Sequence, residues 1–200
     1  MTKTKMSRML RSFAIVAFFV VVLAGAAPAG GAQSTGQLTP IQREIERQRL
    51  RLSSADVEER RDALMRLGNL KRSDASRVAA AGLNDAEVQV RVAAAHAVVF
   101  LPPAEAARLL LPLLQDKAEF IRREAAYALG ETHSRSAVAR LSELLSGDKE
   151  AAVRGAAAVA LGLIGDPSAA PSLRAVLDSS DPYLAEAARQ ALRRLATARN

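Results

Sequence analysis

The chain has 200 residues, half of them apolar, with no cysteine, no tryptophan and only 4% aromatics. That composition suits thin helices packed through small side chains, excludes a disulfide framework, and suits a deep ligand cavity poorly. The formal charge of +7 overstates the basic surface, because Lys3, Lys5, Arg8 and Arg11 stand unpaired at the start; without them about +3 remains, too little to imply a nucleic-acid partner.

Those cations precede FAIVAFFVVVLAG, Phe13 to Gly25, and then the small residues AAPAGGA. This is the three-part layout of a secretory signal peptide, and the apolar run is short for a membrane span. Residues 1–32 are expected to be that signal, cleaved after Ala29 or Ala32, with retention as an anchor the alternative. Either way the chain from about Gln33 onward is expected outside the cytoplasm, periplasmic or secreted, with no membrane contact once the signal is removed. With no cysteine near the cleavage region, lipid attachment is not expected.

Residues 33–53 read as a polar tether and a capping helix. Thr39-Pro40 supplies an N-cap followed by proline at the first helical position, where its missing N–H costs nothing. Ile41, Ile45 and Leu52 then mark an inward side, opposite alternating Arg and Glu, as suits a helix covering the open end of a stack.

From residue 54 the chain repeats. DKAEFIRREAAYALG, Asp116 to Gly130, returns as DKEAAVRGAAAVALG, Asp148 to Gly162, with eight of fifteen positions identical. Looser copies begin at Ser54, Asp85 and Ser179, so the five origins are spaced 31, 31, 32 and 31 residues apart. A fixed period of this size means one supersecondary unit stacked on itself. Within each unit an apolar face recurs at i, i+4, i+7 and i+8: Val90, Ala94, Ala97, Val98; Ile121, Ala125, Ala128, Leu129; Val153, Ala157, Ala160, Leu161; and Leu184, Ala188, Ala191, Leu192. Gly130 and Gly162 are expected to end their helices in the left-handed conformation. A second amphipathic segment follows, through Val138, Leu141, Leu144, Leu145 and through Ala170, Leu173, Val176, Leu177. Each unit is a hairpin of two short helices. Glu59 and Arg66 break the apolar face in the first copy, as terminal repeats do. Pro102-Pro103 separates the two helices of the second copy, and Pro112 is expected to kink its second helix near Arg108. Asp166-Pro167 and Asp181-Pro182 read as helix starts. The last copy has no second helix and is expected to act as a lid.

The pattern of an acidic turn, V/I-R, A-x-A-L-G, a short loop and a second helix ending L-L or V-L resembles the short HEAT-like repeats of phycobilisome lyase subunits and many bacterial scaffold proteins. The resemblance covers residues 54–200 and implies an all-α, right-handed α-solenoid of about five HEAT-like hairpins, the last incomplete, with an N-terminal capping helix. It also suggests an alternative function, as accessory to a chromophore-attaching bilin lyase, and a less favoured one, nucleic-acid binding as in HEAT-like glycosylases, which neither export nor the small remaining charge fits.

Two sets of residues carry candidate roles. An aspartate opens the central copies and an arginine follows six residues later: Asp85 and Arg91, Asp116 and Arg122, Asp148 and Arg154, with Arg60 in the first copy. Turn carboxylates and first-turn guanidinium groups are suited to pair between adjacent repeats as a structural ladder; an anion-binding ribbon is the competing reading. In such hairpins the second helices are taken to line the concave side, where Arg77, Arg108, Arg140 and Arg174 make a candidate partner-binding strip. Ordinary solvated helix surface competes with it, since Glu105, Glu143 and Asp178 lie close by. His96 and His133 lack ligand spacing for zinc, and no nucleophile elbow, phosphate-cradling loop or acid/base pair stands out. The expectation is a non-catalytic scaffold without cofactor, monomeric, binding a protein or peptide and no nucleic acid.

Overall fold

Thr39 opens the first helix, α1 (Pro40–Arg51), with a reciprocal cap: its Oγ1 accepts from the Gln42 N–H at 3.2 Å, and the Gln42 Oε1 accepts from the Thr39 N–H at 2.8 Å. Proline at the first helical position completes the start. The inward side differs from expectation. Ile45 and Gln48 are buried, whereas Ile41 stays 43% exposed, one turn too early to reach the stack. Gln48 is tolerated inside because its amide donates to Glu44 and accepts from Arg51.

The computed structural model describes residues 38–197. The expected signal peptide and nearly all of the tether lie outside the described residues. After α1 the hairpins follow in order: α2 (Val57–Asn69) with α3 (Ser73–Ala79), α4 (Val88–Ala97) with α5 (Pro103–Leu110), α6 (Glu119–Glu131) with α7 (Val138–Gly147), and α8 (Ala151–Ile164) with α9 (Ala170–Ala175). The helix α10 (Pro182–Thr197) stands alone as the incomplete last unit. Short 3-10 turns extend or introduce the second helices, and there is no strand among the described residues.

Each first helix packs on the first helix of the next unit, and its apolar face is buried from Val90 through Ala191. Leu110, Leu141, Leu145 and Leu173 cover that row from the second helices. Burying a leucine contributes about 1.5–3 kcal/mol, so stability is distributed along the stack instead of resting on one centre. The architecture is an all-α solenoid.

Two local expectations are corrected. Pro112 does not kink a continuous helix, because α5 stops at Leu110 and Pro112 sits at the start of a 3-10 turn, Leu111–Gln115, where its missing N–H leaves no helical bond broken. Gly130 and Gly162 do not end helices: α6 continues to Glu131 and α8 to Ile164. The left-handed residues come three positions later in three copies, at Lys71 (φ 51°), His133 (φ 51°) and Gly165 (φ 74°). The second copy has Pro102 in that place, whose ring fixes φ near −65°. There α4 ends early, at Ala97, and a 3-10 turn, Val98–Phe100, leads into Leu101.

Gly68, Gly130 and Gly162 are close-approach positions. A methyl group added at Gly130 would lie 2.8 Å from the Ala160 Cα, and one at Gly162 would lie 2.7 Å from the Ala191 Cα. At Gly68 the corresponding distance to the Ala97 Cα is 3.3 Å. Glycine facing alanine lets successive first helices approach backbone to backbone. The second copy carries Val99 where the first, third and fourth carry glycine, and α4 packs less extensively on α6 than α6 does on α8 or α8 on α10.

Candidate partner-binding surfaces

The aspartates and arginines of the turns form rungs between repeats. Arg60 donates to both Asp85 carboxylate oxygens at 2.8 and 2.9 Å, and Arg122 to both of Asp148 at 2.7 and 3.0 Å. Each aspartate also accepts the N–H two residues on, Glu87 or Glu150, so the same carboxylate that ends one rung starts the next helix. The Arg122 Nη1 donates back to the Asp116 carbonyl at 2.9 Å, and Arg91 makes the equivalent bond to Asp85 at 2.8 Å. Arg154 repeats only that half: it donates to the carbonyls of Asp148 and Lys149, and Ser179 stands where a further aspartate would be. With so many donors committed to protein acceptors, the rungs leave little for an outside anion.

The middle rung is the weakest. Arg91 Nη2 donates to Asp116 at 3.2 Å, while its Nε lies 3.0 Å from the other carboxylate oxygen but off the line needed for a hydrogen bond. Distance alone would rate this contact equal to the others; the angle decides against that. It spans the same α4 to α6 joint at which Val99 takes the glycine's register.

The electrostatics follow the pairing. The Arg60 guanidinium holds the Asp85 carboxyl below the usual carboxylate range against the cost of partial burial. At Asp148 burial pushes upward most strongly, but Arg122 and the Glu150 N–H together outweigh it, and the net shift is downward.

The four arginines of the second helices do not make a row of free cations. Arg77 is held by Glu105 through two bonds of 3.0 Å that tie α3 to α5, and Arg140 pairs with Glu143 on its own helix. Arg108 and Arg174 are exposed, Arg108 beside Leu111 and Pro112 and Arg174 beside Leu192. First helices make the main contacts between units, and the four arginines lie on the second-helix layer.

On the first-helix layer an apolar groove lies over α2 and α4 and reaches Phe120 and Glu131 of α6. Met65 of α2, Val92 of α4, Val99 and Phe100 just after it, and Phe120 of α6 surround a cavity of about 510 Å³. Met65, Phe100 and Phe120 are 54%, 37% and 42% exposed, a concentration of large apolar surface that a buried-core role does not explain. Arg61 and Lys71 edge it on the α2 side and Glu131 on the α6 side. The Arg123 guanidinium lies 4.7 Å over the Phe120 ring. No sequence pattern pointed to this groove. The available signal was Val99, the one break in the glycine register among the first four copies.

Further along, the same layer carries a second, more polar opening of about 430 Å³ beside Arg123, Glu124, Tyr127 and Tyr183. Tyr183 lies in the notch over Gly155, where a methyl group would sit 2.6 Å from its ring. Burial, with a hydrogen bond donated to Tyr183, pushes the Tyr127 hydroxyl up to about 12. The two histidines serve local contacts: His96 Nε2 meets Glu124 at 3.1 Å across α4 and α6, and His133 Nδ1 meets the Leu163 carbonyl at 2.7 Å. Among the described residues no three His, Cys, Asp or Glu side chains group as metal ligands.

Hairpins of near-constant length, joined by arginine–aspartate rungs and sharing one layered core, define a helical repeat protein of the α-solenoid class. The family pattern of HEAT repeats matches residues 47–130 and again residues 110–193, and the chain belongs to that family. The solved complex of CpcE and CpcF of phycocyanin lyase from Nostoc sp. PCC7120 is similar, with a TM-score of 0.66 and 25% identity over 86% of this chain and 71% of that one. An engineered protein gives a TM-score of 0.58 at 21% identity over 76% of this chain and 79% of its own, which speaks to fold alone. No curated protein sequence matches.

Proposed function

We propose that this protein is a non-catalytic scaffold that holds a protein or peptide partner against the first-helix layer of its solenoid, and that it does so as an exported monomer in the cell envelope. The observation that carries this reading is the apolar groove, which presents Met65, Phe100 and Phe120 to solvent. An extended curved surface suits gripping a chain. Export rests on the amino-terminal sequence pattern and is tested by fractionating cells that express the tagged full chain. Crosslinking in the native envelope, followed by mass spectrometry, tests partner binding. Reproducible capture of the same proteins, reduced in Met65→Glu/Phe120→Glu and retained in Arg108→Glu/Arg140→Glu, is the expected outcome; capture lost only in the arginine pair returns the interface to the second helices.

The second reading is an accessory role in bilin attachment, favoured by the likeness to the CpcE and CpcF complex. Incubation of the purified protein with biliverdin tests it: an induced absorbance band supports this role, and an unchanged spectrum removes it.

A further inference from the structure

The groove borders a repeat with two departures from its siblings. Val99 takes the place of a glycine that elsewhere lets the next alanine approach, and Pro102 takes the place of a left-handed residue that elsewhere turns the chain after a full helix. α4 is short and packs less extensively on α6 than α6 does on α8, and the groove beside it is apolar on its floor: Met65, Val92, Val99, Phe100 and Phe120.

The edges are charged and unequal. On the α2 side, Lys71 has no carboxylate partner among the described residues. Arg61 beside it reaches Glu58 through Nη2, but its Nε–H is buried without an acceptor. On the α6 side the edge is Glu131, also without a partner among the described residues. A carboxylate is attracted to the first edge and repelled from the second, which fixes a direction across the groove.

We propose that this groove is a subsite for one kind of occupant, a peptide segment of a protein partner that places bulky apolar side chains on the α4 and α6 floor and a carboxylate toward Arg61 and Lys71. The proposal rests on the scaffold reading and names the chemistry of its partner. The lining runs across three successive helices, so the occupant is elongated, and charge complementarity selects an acidic segment over a basic one.

The test uses the purified full chain and fluorescent helical peptides read by anisotropy. One peptide carries two Phe and a Leu on one face with Asp beside them, a second has Lys in place of the Asp, and a third scrambles the first. The Asp peptide is expected to bind at least about tenfold more tightly than either control, a difference of about 1.4 kcal/mol. Phe120→Glu, at an exposed position, is expected to remove that binding with an unchanged circular dichroism spectrum, and Arg61→Glu/Lys71→Glu to reverse the preference toward the Lys peptide. Equal binding of all three peptides, or full binding by Phe120→Glu, overturns the proposal. So does a biliverdin absorbance change that is lost in Phe120→Glu while no peptide binds, since that assigns the groove to a tetrapyrrole. Envelope capture separates this failure from that of the scaffold reading: undiminished capture by Met65→Glu/Phe120→Glu sinks the subsite alone, and no capture by the native chain sinks the scaffold.

Discussion

The joints from α6 to α8 and from α8 to α10 are closed by glycine on alanine, with added methyl groups falling 2.8 and 2.7 Å from the facing Cα atoms. The joint from α4 to α6 has Val99 in the glycine's register and a misaligned rung between Arg91 and Asp116. One repeat motif thus gives two kinds of contact. The two closed joints carry glycine in the register, and the less extensively packed joint carries valine. In a stack whose units touch only their neighbours, such a break stays local, so an opening in one joint does not endanger the others.

The comparison breaks most severely at the strongest rung. Asp148→Ala leaves the Arg122 guanidinium, only 9% exposed, without its carboxylate and removes the acceptor of the Glu150 N–H just ahead of α8. A loss of about 3–5 kcal/mol is expected, read as a lower urea midpoint. Next, Gly162→Val places the valine of the open joint into a closed one. Over-packing against the Ala191 backbone should cost about 1–3 kcal/mol and speed amide exchange in α8 and α10 while leaving α2 unchanged.

Acid sharpens the same contrast. The Asp85 and Asp148 carboxyls titrate below their unfolded value, near 3.9. Their stabilisation is therefore fully present above that value and is lost as pH falls through the lower folded values. Urea midpoints should be flat from neutral pH down to about 5 and then drop, with a shallower drop in Asp148→Asn; an equally steep drop in that variant would place the acid sensitivity elsewhere. The smallest change is expected for Val99→Gly. The half-buried valine is lost, but the closer approach of α6 offsets it, and a net change within about 1 kcal/mol is expected by thermal unfolding.

Much of the fold was legible because it repeats. The period placed the hairpins, the Thr39-Pro40 start is capped as its side chains suggest, and the alternation of Asp and Arg fits the observed rungs because each pair lies in the same turn of its unit. Contacts between units were less legible. Gly130 and Gly162 read as helix ends because glycine favours the left-handed conformation, yet here its value is the missing Cβ, which matters only once Ala160 and Ala191 face it. The arginines of the second helices read as a strip because sequence gives their register but not their partners, and Glu105 reaches Arg77 from 28 residues away. The groove was invisible for the same reason: Met65, Val99 and Phe120 belong to three different units and meet only in the stack.

The most direct measurement is of spacing. The chain has no cysteine, so spin labels can be placed at the equivalent positions His96, Tyr127 and Val159 without background. The His96 to Tyr127 distance across the open joint should exceed the Tyr127 to Val159 distance across the closed one, and should shrink toward it in Val99→Gly. Equal distances in the native chain, or an open joint unmoved by removal of the valine, would contradict the account.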